Sequence, residues 1–358
     1  MSLLWVEQEE EFQKLVEAAF QRESQSKADY FATLSSKALR IVYRDTRYNV
    51  DYLYTSYLLD DQKIMEDYAA WLYRLMASIL KDMTPEALAD YIVDHLDAIY
   101  QSIPEVVAPE KQAPLQALVV LAQKRVREAA AAGEALRGPS SPRPSQYEAE
   151  IREYMDSLFQ RDSRKPVYLV QKFTQAGIPL SNIYVEILAE SMRRVGDLWH
   201  KGEITVDTEH YCTSVTQMAM AQMYPLLFEG ERKNKVLLCA CPGTELHEMG
   251  ARMVADLFEQ DGWDSIYLGA AVPEDALLDA IEANRPDLVA LSVTMPQHLV
   301  ACREMVESIR TAFPQQKIAV GGKAFESTQG LWEKWPVDLY AMDARQLLSQ
   351  ANALCDGA

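Results

Sequence analysis

The stretch KVLLCACPGTELHEMG, residues 235–250, decides the fold. Lys235 to Cys241 is a short, β-rich and almost wholly apolar run, closed at once by Pro242-Gly243. A run too short for a helix and ended by turn residues predicts a strand buried on both faces. Similar β-rich runs recur at Ser265–Leu268, Asp287–Val293, Lys317–Val320 and Asp338–Met342, with amphipathic helical stretches between them. Short strands alternating with helices imply βαβ units and an open parallel sheet. Five strands in this rhythm predict a Rossmann-like (flavodoxin-like) doubly wound domain over residues 229–358. Ligands of such domains bind beyond the carboxyl ends of the strands.

Upstream the pattern is helical. Residues 147–228 include helices from Ile183 to Trp199 and from Val206 to about Leu227, separated at Lys201-Gly202, and predict a four-helix bundle. Before it, Gly138-Pro139-Ser140-Ser141-Pro142-Arg143-Pro144-Ser145 suits neither a helix nor a core, so residues 138–146 are read as a linker. The first glycine of the chain is Gly133, which leaves little scope for tight turns before it. Tyr68, Trp71, Leu72, Leu75 and Ile79 recur at helical spacing, and Thr84-Pro85-Glu86 has the form of a helix start. Residues 1–137 therefore predict an all-helical domain. The fold class is α plus α/β.

Composition narrows the functions. The 358 residues carry 35 basic and 53 acidic side chains, a net charge of −18. That balance argues against duplex DNA, whose affinity for proteins comes largely from neutralised phosphates, and against an anionic membrane surface. The start, MSLLWVEQEEEF, lacks the basic opening of a signal peptide, and no apolar run is long enough to cross a bilayer. All five cysteines lie beyond residue 211 and their number is odd, as for a reducing compartment. A cytoplasmic location is expected.

The turn after the first strand does not read G-x-G-x-x-G, as a dinucleotide site would. It offers Glu245, then His247, then Gly250. Leu268-Gly269-Ala270-Ala271-Val272-Pro273 follows the second strand, Ser292-Val293-Thr294 ends the third, and Gly321-Gly322 follows the fourth. All lie at carboxyl strand ends, where they can line one crevice. The set resembles the cobalamin-binding domain family, with its D-x-H-x-x-G, S-x-T and G-G elements. The resemblance implies that His247 ligates cobalt from below and that Glu245 supports it from the second shell. It implies that the displaced nucleotide tail passes Gly250, Ser292, Thr294, Gly321 and Gly322. Glu245 departs from the family's Asp, and its extra methylene changes its reach.

In the bundle, Trp199 is followed at W-x9-E-H spacing by Glu209 and His210. That spacing resembles the adenosylcobalamin photoreceptors of the CarH type. It implies that Trp199, Val206, Glu209 and His210 surround the adenosyl group on the upper face. It also implies that His200 takes the upper cobalt position once light has broken the Co–C bond. The overall layout resembles the photocobilins, which pair cobalamin with a bilin. A biliverdin or other bilin would be held here without a thioether, since no cysteine precedes Cys212. The pocket for it is unassigned. Arg40, Arg44 and Arg47 beside Tyr48, Tyr52, Tyr54 and Tyr57 read as either a core with a solvated basic face or a chromophore pocket. His95, the single histidine of this region, reads as a satisfied histidine or a haem or bilin contact.

The expected function is a non-enzymatic light sensor with a dimeric or tetrameric, light-dependent assembly, no direct DNA or membrane contact, and an output through a protein interface. The alternative is a corrinoid methyl carrier of a methyltransferase system. A cobalamin mutase needs a large barrel over the cofactor, for which these helical blocks leave no room.

Overall fold

A computed structural model describes residues 10–134, 145–228 and 230–356. The linker reading falls almost entirely on residues 135–144, outside the described residues. The chain divides into two compact units. One is the N-terminal region to residue 138 with the short segments 296–301 and 326–331, and the other is the remainder.

The N-terminal unit is helical: α1 (Glu10–Ser26), α2 (Ala28–Thr33), α3 (Ser36–Leu58), α4 (Gln62–Ile79), α5 (Pro85–Val106) and α6 (Pro109–Ala131). Polar caps start three of them. The Ser35 side chain accepts from Ala38 N, Asp61 from Lys63 N, and Thr84 from Ala87 N with Pro85 at the first helical position. Helix α3 is buried on every side from Asn49 to Ser56, so it runs through the middle of the unit. Tyr52 and Tyr54 belong to this core. Tyr52 stacks on Tyr68 at 3.8 Å between ring centroids, and Tyr54 donates to Glu11 Oε1 at 2.9 Å. Arg44 lies exposed beside Asp45. His95 Nδ1 sits 2.7 Å from the buried Glu23 carboxylate.

The second unit opens with four helical runs: α7 (Glu148–Phe159), α8 (Arg164–Gln175), a third run, and α11 (Val206–Ala221). The third run is α9 (Leu180–Asn182), a π-helical segment (Ile183–Leu188) and α10 (Ala189–His200). Ile151, Tyr154, Val170, Phe173, Ile187, Val195 and Val215 form the bundle core. Helix α11 stops at Ala221, short of the expected Leu227, and Tyr224–Phe228 follows as a 3₁₀ turn. Pro225, which has no N–H to give, explains the break.

The sheet has five parallel strands: β1 (Val236–Pro242), β2 (Asp264–Val272), β3 (Leu288–Ser292), β4 (Ile318–Gly321) and β5 (Leu339–Ala341), in the order β2-β1-β3-β4-β5. Helices α12 (Met249–Gln260), α13 (Glu274–Asn284), α14 (His298–Ala312) and α15 (Ala344–Asp356) complete the doubly wound domain. Side chains of α12 and α15 share a core with alternate residues Leu237, Cys239 and Cys241 of β1. Met253 and Leu257 of α12 also enter the bundle core, so the bundle and the α/β domain pack as one body. Strand order reverses between β1 and β3, the position where such sheets open a crevice. The expected fold class is the one observed. Strand β2 runs further than expected, because a bulge opposite Ala240 carries Gly269 (φ +84°) and Ala271 (φ +54°) in left-handed conformations.

Candidate cobalamin site

Glu245 and His247 leave β1 on the side of this reversal. Glu245 is completely buried, whereas the His247 side chain is 53% exposed. The Glu245 carboxylate gathers four contacts. Oε1 accepts from His247 N at 2.9 Å and lies 2.6 Å from His247 Nδ1. Oε2 accepts from Thr294 N and Met295 N, each at 2.8 Å. The backbone carbonyl of Glu245 accepts from Ala271 N at 2.9 Å, at the bulge of β2. One carboxylate thus joins the loops after β1 and β3, and its longer side chain reaches the imidazole.

Facing a carboxylate, Nδ1 carries the proton and donates it, and in the neutral ring this leaves the lone pair on Nε2. The hydrogen bond that His247 donates to Glu245 raises the imidazole above its ordinary value. Burial opposes that shift, Glu209 adds to it through space, and Lys323 works against it. An oriented imidazole with a free Nε2 in an exposed position suits a borderline transition metal such as cobalt. The donor set therefore fits the cofactor. His247 would hold the metal and Glu245 would fix its tautomer.

The remaining predicted lower-face residues surround this pair. A Cβ on Gly250 would lie 3.9 Å from Ser292 Oγ, so Gly250 and Ser292 face one another closely. Thr294 is half-buried and anchored by its own N–H to Glu245. Gly321 and Gly322 answer first to the protein's own backbone. A Cβ on Gly321 would come 2.7 Å from Ala341 O, and one on Gly322, where φ is +103°, would come 2.2 Å from Val293 O. Gly321 thus admits β5 alongside β4, and Gly322 lets the loop after β4 fold onto Val293, between Ser292 and Thr294.

The residues predicted for the upper face lie on either side of the turn between α10 and α11. Trp199 is in the last turn of α10, half-buried. Gly202 (φ +66°) closes that helix, with Gly202 N donating to Trp199 O and Glu203 N to Leu198 O, each at 2.9 Å. Helix α11 then begins with Val206, 52% exposed, and carries Glu209 in its first turn, where the helix dipole favours an acid. Glu209 Oε2 lies 2.6 Å from His210 Nδ1, and the His210 side chain is 74% exposed. His200, the last residue of α10, is buried.

Residues unanticipated from sequence connect the two sides. Glu248 accepts from Gln217 of α11 at 3.1 Å and from Tyr267 of β2 at 3.0 Å. Tyr184, in the π-helical segment, donates to Asp256 Oδ2 at 2.9 Å, and Arg252 Nε donates to Asp256 Oδ1 at 3.0 Å. The Arg252 guanidinium lies over the Tyr267 ring. One sequence signal was available: Gln217 is seven residues after His210, on the same face of α11.

Comparison with known proteins points to cobalamin binding. A B12 binding domain model matches residues 235–346, and a second matches residues 150–224. Over 169 residues the chain is 32% identical to the HTH-type transcriptional repressor CarH of Myxococcus xanthus, covering 46% of this chain and 55% of that protein. It is 21% identical over 208 residues to dimethylamine corrinoid protein 3 of Methanosarcina acetivorans, covering 58% of this chain and 97% of that one. The structure of the monomethylamine corrinoid protein of Methanosarcina barkeri shares the fold, with a TM-score of 0.52 at 18% identity over 58% of this chain and 99% of that chain. The match spans about half the length of the repressor. Among the described residues no helix is long and apolar enough to cross a membrane. Residues 150–224 and 235–346, the bundle and the α/β domain, thus carry the two B12 binding domains of a cobalamin-binding protein.

Proposed function

We propose that the chain is a non-enzymatic light sensor that holds adenosylcobalamin between the bundle and the α/β domain. The observation that carries cobalamin binding is the Glu245–His247 pair, a buried carboxylate that leaves an exposed imidazole with Nε2 available. Bound adenosylcobalamin supplies a cobalt–carbon bond that light breaks. Every other task falls to the chain's own residues. His247 holds the metal from below, while Thr294, Ser292 and Gly250 line the path of the nucleotide tail. Trp199, Val206, Glu209 and His210 contact the adenosyl group. His200 is buried in the last turn of α10, so a role for it after light requires that turn to rearrange. Such a rearrangement next to an interface is the kind of local event that switches an assembly. The signal is then read as a change in association between copies of the chain, as a dimer or tetramer.

The adenosyl form and the light response are supported by the Trp199-x9-Glu209-His210 spacing and by the similarity to CarH. A corrinoid methyl carrier is supported equally by coverage of nearly the whole of dimethylamine corrinoid protein 3. The two functions divide on one experiment. The protein is loaded with adenosylcobalamin in the dark, and its spectrum and elution volume are recorded before and after green light. A sensor changes both. An unchanged spectrum and elution volume reject the sensor and leave the carrier. A bilin in the N-terminal unit is part of the same proposal and rests on the resemblance to photocobilins. Extraction of a metal-free tetrapyrrole after co-expression with bilin synthesis supports it, and a colourless extract rejects it.

A further inference from the structure

The residue after the cobalt-ligand candidate is held from two directions. Glu248 Oε1 accepts from Gln217 Nε2 of α11 at 3.1 Å, and Oε2 accepts from Tyr267 Oη of β2 at 3.0 Å. The same tyrosine hydroxyl lies 3.3 Å from the Glu248 carbonyl, so side chain and main chain of this residue share one donor. Beside it, Gly269 leaves room: a Cβ there would come 3.3 Å from Glu248 Oε2. Glu248 is half-buried, where hydrogen bonds to a charged group count for more than on an open surface. Neither donor is used by the Glu245–His247 pair, and both are separate from the residues expected to touch the cofactor.

Tyr267 is itself fixed. Arg252 covers its ring and is held by Asp256, which accepts in turn from Tyr184 in the π-helical segment of the bundle. The bundle is therefore fastened behind the His247 turn through two polar routes: α11 to Glu248 directly, and the π-helical segment to Asp256, Arg252, Tyr267 and Glu248. Gln217 sits two turns along α11 from Glu209 and His210, so a movement at the start of that helix is carried as a rigid body to Glu248.

We infer that Glu248 is a positioning residue that makes the geometry of the His247 turn depend on the place of helix α11. The inference rests on His247 as the lower ligand and adds how the upper-face helix controls it. Displacement of α11 pulls on Glu248, loosens the turn, and weakens the hold of His247. Conversely, a firmly held His247 favours one placement of α11.

The test has two arms. In cofactor-free protein, amide exchange is followed in peptides covering residues 243–250, comparing the parent with Gln217→Leu and Tyr267→Phe. Each substitution is expected to raise exchange in this turn about tenfold, as for the loss of one hydrogen bond to a charged group, while β1 and β3 stay protected. Equal exchange in Gln217→Leu and the parent overturns the inference. Should Gln217→Leu fail to fold, Gln217→Glu serves: its carboxylate repels Glu248, and an unaltered turn again overturns the inference. In protein loaded with cob(II)alamin, the histidine-ligated spectrum is recorded for the same variants. A reduced histidine-ligated fraction at unchanged cobalamin content supports the inference, and an unchanged fraction overturns it. Failure of the parent to bind cobalamin refutes the proposed function and leaves the exchange arm to decide the clasp.

Discussion

Two pairs in this molecule have the same chemistry and opposite surroundings. Glu245–His247 and Glu209–His210 each place a carboxylate oxygen 2.6 Å from a histidine Nδ1. In the lower pair the carboxylate is fully buried and also receives two backbone N–H groups from the loop after β3. In the upper pair the acid stands in the first turn of a helix, bonded to Thr213, with its histidine largely in solvent. The difference teaches that the side chains do not set the task; the frame does. The lower imidazole is held in one orientation before any cofactor arrives, as a ligand should be. The upper pair, with its histidine 74% exposed, is free of such a frame, and under the proposed function it adapts to the group it meets.

The largest expected effect comes from the frame of the lower pair. Gly322→Ala drives a Cβ into the Val293 carbonyl at a backbone conformation alanine resists, and is expected to cost at least about 3 kcal/mol. Gly250→Ala, with its nearest neighbour at 3.9 Å, is expected to fold normally. Chemical denaturation of the two variants compares them directly. Similar midpoints for both would refute the close-packing account of Gly322.

Next comes the pair itself. Glu245→Ala removes an acceptor from three backbone N–H groups and an imidazole, with an expected loss of about 3 kcal/mol. Glu209→Ala is expected to change stability by less than about 0.5 kcal/mol, as for a surface pair. Equal losses would erase the contrast between the two sites. Their effects on cofactor should be inverse in kind: Glu209→Ala alters the contact with the upper ligand, whereas Glu245→Ala lowers cobalamin retention on a desalting column.

The smallest effect concerns a third pair, His95 with Glu23 in the N-terminal unit. Burial pushes the Glu23 carboxyl upward, but hydrogen bonds from His95 and Lys27 outweigh it, and the net result lies below the ordinary value of 4.5. A carboxylate depressed in the folded state contributes stability that is present above about pH 4.5 and is lost as the pH falls through its folded value. Glu23→Gln should therefore cost stability at pH 7 and progressively less in acid, a trend that thermal unfolding of both proteins across that range reveals. A constant difference would place the contribution of Glu23 in packing instead of charge.

The strands were legible because short apolar runs ending in Pro242-Gly243 or Gly321-Gly322 cannot be helices. The Glu245–His247 pair was legible because its partners are two residues apart. The Glu248 clasp was not, since Gln217 and Tyr267 lie 31 and 19 residues away and only the packed bundle brings them together. The two N–H groups on Glu245 were equally hidden, because backbone donors of residues 294 and 295 leave no mark in side-chain identity. The resemblance puts Gly321 and Gly322 beside the nucleotide tail, while their close neighbours within the chain are the carbonyl groups of Ala341 and Val293. Helix α11 ends before Leu227 although its apolar spacing continues past Pro225, because spacing does not register the missing N–H of a proline.

The most direct measurement of the central claim, that His247 is the lower cobalt ligand, is the electron paramagnetic resonance spectrum of cob(II)alamin bound to protein labelled with ¹⁵N at histidine. The account predicts that the nitrogen splitting of each cobalt line changes from a triplet to a doublet on labelling, and that His247→Ala abolishes this change. A triplet that persists in labelled protein would show that the cofactor keeps its own base, and would contradict the account.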